Sequence, residues 1–209
     1  VALIRRRPRS AIAVALVALL APLCTETLKP LMAHTHASIP STTITAASWP
    51  SGHSTAAMTL ALCAVLVPPR QLRALLAALG SVFAIAVGFS LLVLAWHMPS
   101  DVFAGYLVAG FWSALAVAAL RFAERYSPSV DSQTPAPSRA SFTAGLSEKL
   151  SVAVALGSVG FSLLALVLWL GGGHLQAFAS DHRLLVVAAS GIATLAVAIC
   201  TTLTAALRT

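Results

Sequence analysis

The chain has 209 residues, of which 58% are hydrophobic and only 9% are charged. Soluble domains carry about a quarter charged residues, so this composition excludes an ordinary soluble domain and indicates an all-α integral membrane protein. The formal net charge of +7 would suggest a nucleic-acid partner in a soluble chain. Here the basic residues fall in short loops between apolar runs, which is a topology signal, so no nucleic acid is expected.

Six apolar stretches predict six transmembrane helices, since a spanning helix needs about 20 residues. They cover approximately residues 10–28, 54–69, 74–96, 102–120, 150–170 and 184–207. The apolar part of the first ends where Glu26 and Lys29 appear. The second is short and is expected to gain its first turn from the Ser-Gly-His that precedes it. Arg5 to Arg9 followed by Ala11 to Leu20 also resembles a cleavable signal peptide, although the following residues offer a poor cleavage site.

A segment rich in Ser and Pro, residues 126–147, interrupts the apolar pattern and predicts a disordered cytoplasmic linker. It separates a four-helix unit, residues 1–125, from a C-terminal transmembrane helix pair, residues 148–209. We expect the helix pair to be the surface through which the chain forms homo- or hetero-oligomers. Three cysteines lie inside apolar segments without paired spacing, which predicts neither a disulfide framework nor a metal site.

The distribution of basic residues predicts the orientation of the six helices. Of the 13 Lys and Arg residues, all but Lys29 and Arg183 fall on one side if six segments cross. The positive-inside rule then places both termini in the cytoplasm. The same topology gathers several ionisable residues near the outer surface, namely Lys29, His34, His36, His53, His97 and Asp101.

Two histidines stand at the ends of apolar segments, where a membrane chain rarely keeps ionisable groups without a use for them. His53 closes the tetrapeptide Pro-Ser-Gly-His, in which Gly52 lets the backbone approach an anion at a helix start. His97 is followed four residues later by Asp101, a carboxylate that can hold an imidazole in one tautomer. Pro99 is expected to begin a new helix, which would place Asp101 in its first turn.

These motifs resemble two of the three signature motifs of the type 2 phosphatidic acid phosphatase superfamily. In that pattern Pro-Ser-Gly-His is followed by Ser-Arg, five residues, His, three residues and Asp. Ser90, His97 and Asp101 match the second of these motifs, but Leu91 stands where the family has arginine. Lys29 resembles the lysine of the remaining motif, which is Lys, six residues, Arg-Pro.

The last motif departs from the family at its basic position. His36 and Ala37 stand where the family has Arg-Pro, and His34 stands where many relatives have another arginine. A histidine supplies a positive charge only when it is protonated. The chain thus lacks two arginines that would hold a phosphate through paired hydrogen bonds.

The resemblance implies a membrane phosphatase that uses neither a metal nor another cofactor. His97 would be the nucleophile that forms a phosphohistidine, Asp101 would orient it, and His53 would protonate the leaving group. The phosphate would be held by Lys29, His36, Ser51, Gly52 and Ser90. The implied substrate is a membrane lipid phosphate, of the polyprenyl phosphate or diphosphate, phosphatidic acid or prenyl-phosphosugar type. It would be reached at the extracytoplasmic face of a bacterial-type plasma (inner) membrane.

Other interpretations of the same residues stay open. The missing arginines would also suit a catalytically impaired relative that binds a lipid phosphate or serves as a structural subunit of a membrane complex. Retention of His53, His97 and Asp101 favours the enzyme, because a disused site has no reason to keep all three. Ser51 or Ser54 could also be a plain helix cap, which is the favoured interpretation for Ser54. Glu26 is expected to pair with Lys29 three residues on.

Overall fold

The computed structural model describes residues 8–32, 48–126 and 180–207. Within these ranges the chain forms α-helices and no β-strand, which confirms the all-helical prediction. The helices are α1 (Pro8–Met32), α2 (Gly52–Leu66), α3 (Arg70–Val93), α4 (Pro99–Tyr126) and α5 (Arg183–Ala206).

By length and composition, four of these helices are able to cross a membrane, namely α1, α3, α4 and α5. Helix α2 has 15 residues, fewer than the roughly 20 that a crossing needs. It begins at Gly52, so its first turn does come from the Ser-Gly-His motif, as predicted. The predicted fifth segment, residues 150–170, lies outside the described residues, and the total of six crossings stays a prediction.

Helix α1 is longer than the first predicted segment, because it continues past Glu26 and Lys29 to Met32. The two charged side chains lie one turn apart and pair, with Lys29 Nζ 2.5 Å from Glu26 Oε1. Opposite charges at this spacing support a helix rather than ending it. The buried hydroxyls of Thr25 and Thr55 lie 3.0 Å apart and join this end of α1 to α2.

Small residues let α2, α3 and α4 approach one another closely. A Cβ added at Gly80 of α3 would lie 2.9 Å from Ala61 Cβ on α2, and one added at Gly88 would lie 2.6 Å from the Tyr106 hydroxyl of α4. Tyr106 is fully buried and donates its hydroxyl hydrogen to the carbonyl of Ala84 on α3. Close packing and hydrogen bonds of this kind drive helix association in a membrane.

Helix α5 packs into the same core. From Ala188 onward it belongs to one compact unit with the chain up to Phe122. Its buried side chains include Ile192, Ala196 and Cys200, which join the core formed by α2, α3 and α4. The predicted boundaries at residues 125 and 147 stay a prediction, since the linker lies outside the described residues.

Two arginines meet the C-terminal end of α5. Arg73 Nη1 donates to the carbonyl of Leu207 at 2.8 Å, and Arg121 donates to the carbonyl of Ala206. The last carbonyls of a helix have no partner within the helix, and cations stabilise the negative end of its dipole. We call this cluster, Arg73 and Arg121 with the carbonyls of Ala206 and Leu207, the arginine end of the bundle.

Candidate functional site

The Pro-Ser-Gly-His motif forms the start of α2. Ser51 is the N-cap residue, and its Oγ accepts a hydrogen bond from the Ser54 amide at 3.3 Å. Its carbonyl accepts from the Thr55 hydroxyl at 2.9 Å. The expectation that Ser54 is the cap is therefore wrong. Ser54 lies within the helix, and its buried hydroxyl has no hydrogen-bond partner among the described residues.

The histidine motif lies in a tight reversal between α3 and α4. The Ala95 amide donates to the carbonyl of Leu92 and the Trp96 amide to that of Leu91, both at 3.1 Å. Ala95 has the left-handed backbone conformation, with φ 53°. This is the Schellman arrangement that ends many helices. It turns the chain so that Pro99 can begin α4, as the sequence predicted.

Asp101 holds His97 in place. His97 Nδ1 lies 3.2 Å from Asp101 Oδ2, which also accepts a hydrogen bond from the Met98 amide at 3.0 Å. The other carboxylate oxygen accepts from the Ser100 hydroxyl at 3.3 Å, and Ser48 provides a further hydrogen bond. A carboxylate can only accept, so this contact places the ring proton on Nδ1 and leaves His97 Nε2 with its lone pair.

The two histidine motifs are joined through the backbone. The Ser51 amide donates to the carbonyl of Asp101 at 3.0 Å. One turn after Asp101 stands Gly105, where an added Cβ would come within 2.7 Å of the Ser51 carbonyl oxygen. This contact leaves no space for a side chain. It brings the rings of His53 and His97 to a centroid separation of 6.3 Å.

Lys29 also reaches this site. A Cβ added at Gly52 would lie 3.5 Å from Lys29 Nζ and 3.3 Å from Glu26 Oε1, so the ion pair of α1 rests against the first residue of α2. Lys29 is half-buried and His53 is exposed. We call the cluster of Lys29, Gly52, His53, His97 and Asp101, together with Glu26, the site end of the bundle.

The structure places the remaining predicted residues elsewhere or does not describe them. Ser90 is exposed, and its hydroxyl donates to the carbonyl of Ala86 in its own helix at 2.8 Å. Leu91, at the position of the family arginine, is only 4% exposed and belongs to the apolar core. His36 lies outside the described residues. The phosphate-binding roles of Ser90 and His36 stay predictions.

Three neighbours of the site were not predicted from the sequence. Nothing in the sequence around Gly105 or Ser48, apart from the small size of the two residues, indicates that they lie beside the site. Trp96 fits a residue at the membrane interface, yet its ring lies 6.1 Å from that of His53 between centroids. In the described part of the chain, no three His, Cys, Asp or Glu side chains gather as metal ligands.

Comparison with known families agrees with this geometry. The family model of the PAP2 superfamily matches residues 10–125, more than half of the chain, and this stretch contains every residue of the site end. The chain therefore belongs to the PAP2 superfamily, whose members generally hydrolyse phosphate esters. Neither a curated protein nor a solved structure matches it.

Proposed function

We propose that the chain is a membrane phosphatase that removes phosphate from a lipid through a phosphohistidine intermediate. The observation that carries the proposal is the His97–Asp101 pair, which leaves Nε2 of a half-buried imidazole with its lone pair beside His53. The substrate class is a polyprenyl phosphate or diphosphate, phosphatidic acid or a prenyl-phosphosugar. Such a substrate can keep its apolar chain in the bilayer while its phosphate enters the site end.

The reaction runs in two steps. His97 Nε2 attacks phosphorus while the bond to the lipid oxygen breaks, and His53 donates a proton to that oxygen. Water then attacks the phosphohistidine, gives a proton to His53 and releases inorganic phosphate. Lys29 and the first amides of α2 stabilise the phosphoryl oxygens throughout. Asp101 stabilises the charge that develops on the His97 ring.

We place this site at the extracytoplasmic face of a bacterial-type plasma membrane, with six crossings and both termini in the cytoplasm. In support, Arg73 and Arg121 lie together at the arginine end. Arg121 is 20 residues further along α4 than Asp101. At about 1.5 Å per residue, that distance matches the thickness of the hydrocarbon layer. In a cysteine-free background, an impermeant thiol reagent applied to intact cells should label Ser38→Cys and spare Ser132→Cys.

Phosphate release by the purified full chain tests the function. A panel of polyprenyl phosphates, phosphatidic acid and prenyl-phosphosugars should contain at least one substrate. His97→Ala should abolish the release of phosphate. It should also prevent formation of the acid-labile phosphoprotein that wild type forms from ³²P-labelled substrate. His182→Ala, which removes a histidine far along the chain from the motifs, is the matched control and should behave as wild type. Equal turnover in wild type and His97→Ala would exclude the proposed mechanism.

The burial of Leu91 favours a second candidate, a catalytically impaired relative that binds lipid phosphates or supports a membrane complex through its C-terminal helices. The family position that carries a phosphate-binding arginine here contributes to the apolar core. A chain that binds inorganic phosphate yet releases none from any lipid in the panel would establish this candidate instead.

A further inference from the structure

Glu26 lies in the site end, yet the proposed reaction gives it no role. Its Oε1 is 2.5 Å from Lys29 Nζ and 3.3 Å from the Cβ position of Gly52. Its side chain is 61% exposed, so nothing in the packing of the core requires a carboxylate there. The carboxylate nevertheless rests against the first residue of α2.

The start of α2 favours a negative charge. The amides of Gly52 and His53 have no hydrogen-bond partner in the described part of the chain, since the Ser51 side chain meets only the Ser54 amide. Free amide hydrogens and the positive end of the helix dipole attract anions at such a position. Lys29 adds a full positive charge beside them. The Glu26 carboxylate therefore lies beside the groups that would stabilise a phosphate.

We propose that Glu26 is an internal anion, which compensates Lys29 and the start of α2 in the empty site and is displaced by the phosphate of the substrate. The inference rests on the proposed function for the identity of that substrate. An exposed ion pair is weak, so a phosphate with two negative charges outcompetes the carboxylate. Displacement sets the affinity of the site without taking part in the chemical step.

Binding of inorganic phosphate to the purified full chain, measured by calorimetry in detergent, tests the inference. Glu26→Gln keeps the shape of the side chain and removes its charge. It should tighten the phosphate Kd about three- to tenfold, because Lys29 is freed and a like charge is removed. Glu124→Gln, an exposed carboxylate near the far end of α4, is the matched control and should leave Kd unchanged. In a Lys29→Met background the gain from Glu26→Gln should fall to about twofold or less.

Three outcomes would overturn the inference. A Kd that is unchanged or weaker in Glu26→Gln would mean that the carboxylate orients Lys29 instead of competing for it. A full gain in the Lys29→Met background would show that Glu26 acts without Lys29. An equally tightened Kd in Glu124→Gln would show that the effect comes from the net charge of the protein and not from the position of Glu26.

A kinetic measurement separates this inference from the proposed function. With a hydrolysed lipid phosphate such as dioctanoyl phosphatidic acid, Glu26→Gln should lower KM and leave the single-turnover rate at saturating substrate unchanged. A fall in that single-turnover rate would overturn the inference, because it would place Glu26 in the chemical step. Phosphate binding requires no turnover. A chain that binds phosphate in the expected manner but hydrolyses no lipid would contradict the proposed function alone.

Discussion

The two ends of the helix bundle use charged residues in opposite ways. At the arginine end, Arg73 and Arg121 donate to the last carbonyls of α5, so their charges close a helix terminus. At the site end, the first amides of α2 have no partner in the described residues, and the nearest cation, Lys29, is held by an exposed carboxylate. The two arginines are thus bonded to backbone carbonyls and complete the fold. Lys29 is bonded to an exposed carboxylate, which under the proposed function a phosphate would replace.

The same contrast extends to the backbone. Beside the site end, Ala95 has a left-handed backbone, and Gly105 packs so closely against the Ser51 carbonyl that a Cβ would not fit. The left-handed conformation of Ala95 is unfavourable for a residue with a Cβ, and such geometry persists where the surrounding structure imposes it, often near functional groups. We infer that the site end gives up some stability to hold its side chains in position, and that the arginine end supplies stability alone. Four substitutions test this division.

Asp101→Asn should have the largest effect on turnover. The amide can still accept from the Met98 amide, but it can also donate to His97 Nδ1 and so favour the wrong tautomer. We expect kcat to fall by about 10²- to 10⁴-fold, with little change in the thermal unfolding midpoint in detergent. A kcat within about threefold of wild type would contradict the role of Asp101 as the group that orients His97.

Gly105→Ala should separate the two histidine motifs. The new methyl group would meet the Ser51 carbonyl oxygen at 2.7 Å and force α2 and α4 apart. Because a misplacement of about 1 Å can cost about 10²-fold in rate, we expect kcat to fall by one to two orders of magnitude. Gly110→Ala is the matched control on the same helix, since its nearest contact, Ile199, lies 3.4 Å away. Equal activity in both variants would show that the Ser51–Gly105 contact does not position the site.

Arg73→Met should act on stability and leave catalysis unchanged. Its guanidinium is buried and donates to the carbonyls of Pro68 and Leu207. Hydrogen bonds of charged groups contribute about 1.5–3 kcal/mol, so the free energy of unfolding should fall by about that amount. Arg70→Met is the control. It removes an exposed arginine three residues earlier and should change the free energy of unfolding little. If Arg73→Met instead lowered kcat of the folded protein, the division between the two ends would be lost.

Periodicity and motif spacing predicted the parts of the molecule that depend on local chemistry. The apolar runs predicted α3, α4 and α5 with modest errors at their ends, because hydrophobic length is visible in the sequence. Pro99 predicted the start of α4 and thus the place of Asp101 in its first turn. Spacing also predicted the Glu26–Lys29 pair, since residues three apart share a helix face.

The features that depend on packing could not be predicted in this way. Nothing local distinguishes Gly105 from the other glycines, because its role follows from the Ser51 carbonyl that approaches it from another helix. Nor does local sequence show that Leu91 enters the core while Ser90 faces outward. The choice of Ser51 over Ser54 as helix cap depends on where α2 begins, and α2 begins just after the residue whose amide donates to the Asp101 carbonyl of another helix.

Ala95→Gly should have the smallest effect of the four substitutions, and it should stabilise the protein. A left-handed conformation costs a residue with a Cβ about 1–2 kcal/mol, while glycine loses about 0.5–1 kcal/mol in backbone freedom. The Ala95 side chain is exposed, so no packing is lost. We expect a net stabilisation of about 0.5–1 kcal/mol, measured as a rise in the thermal unfolding midpoint, with kcat unchanged because the Schellman hydrogen bonds remain. Ala95→Val adds a β-branched side chain at the same angle and should lower the midpoint. A lower midpoint in Ala95→Gly would show that this turn carries no backbone strain. The site end would then hold its side chains without a cost in stability.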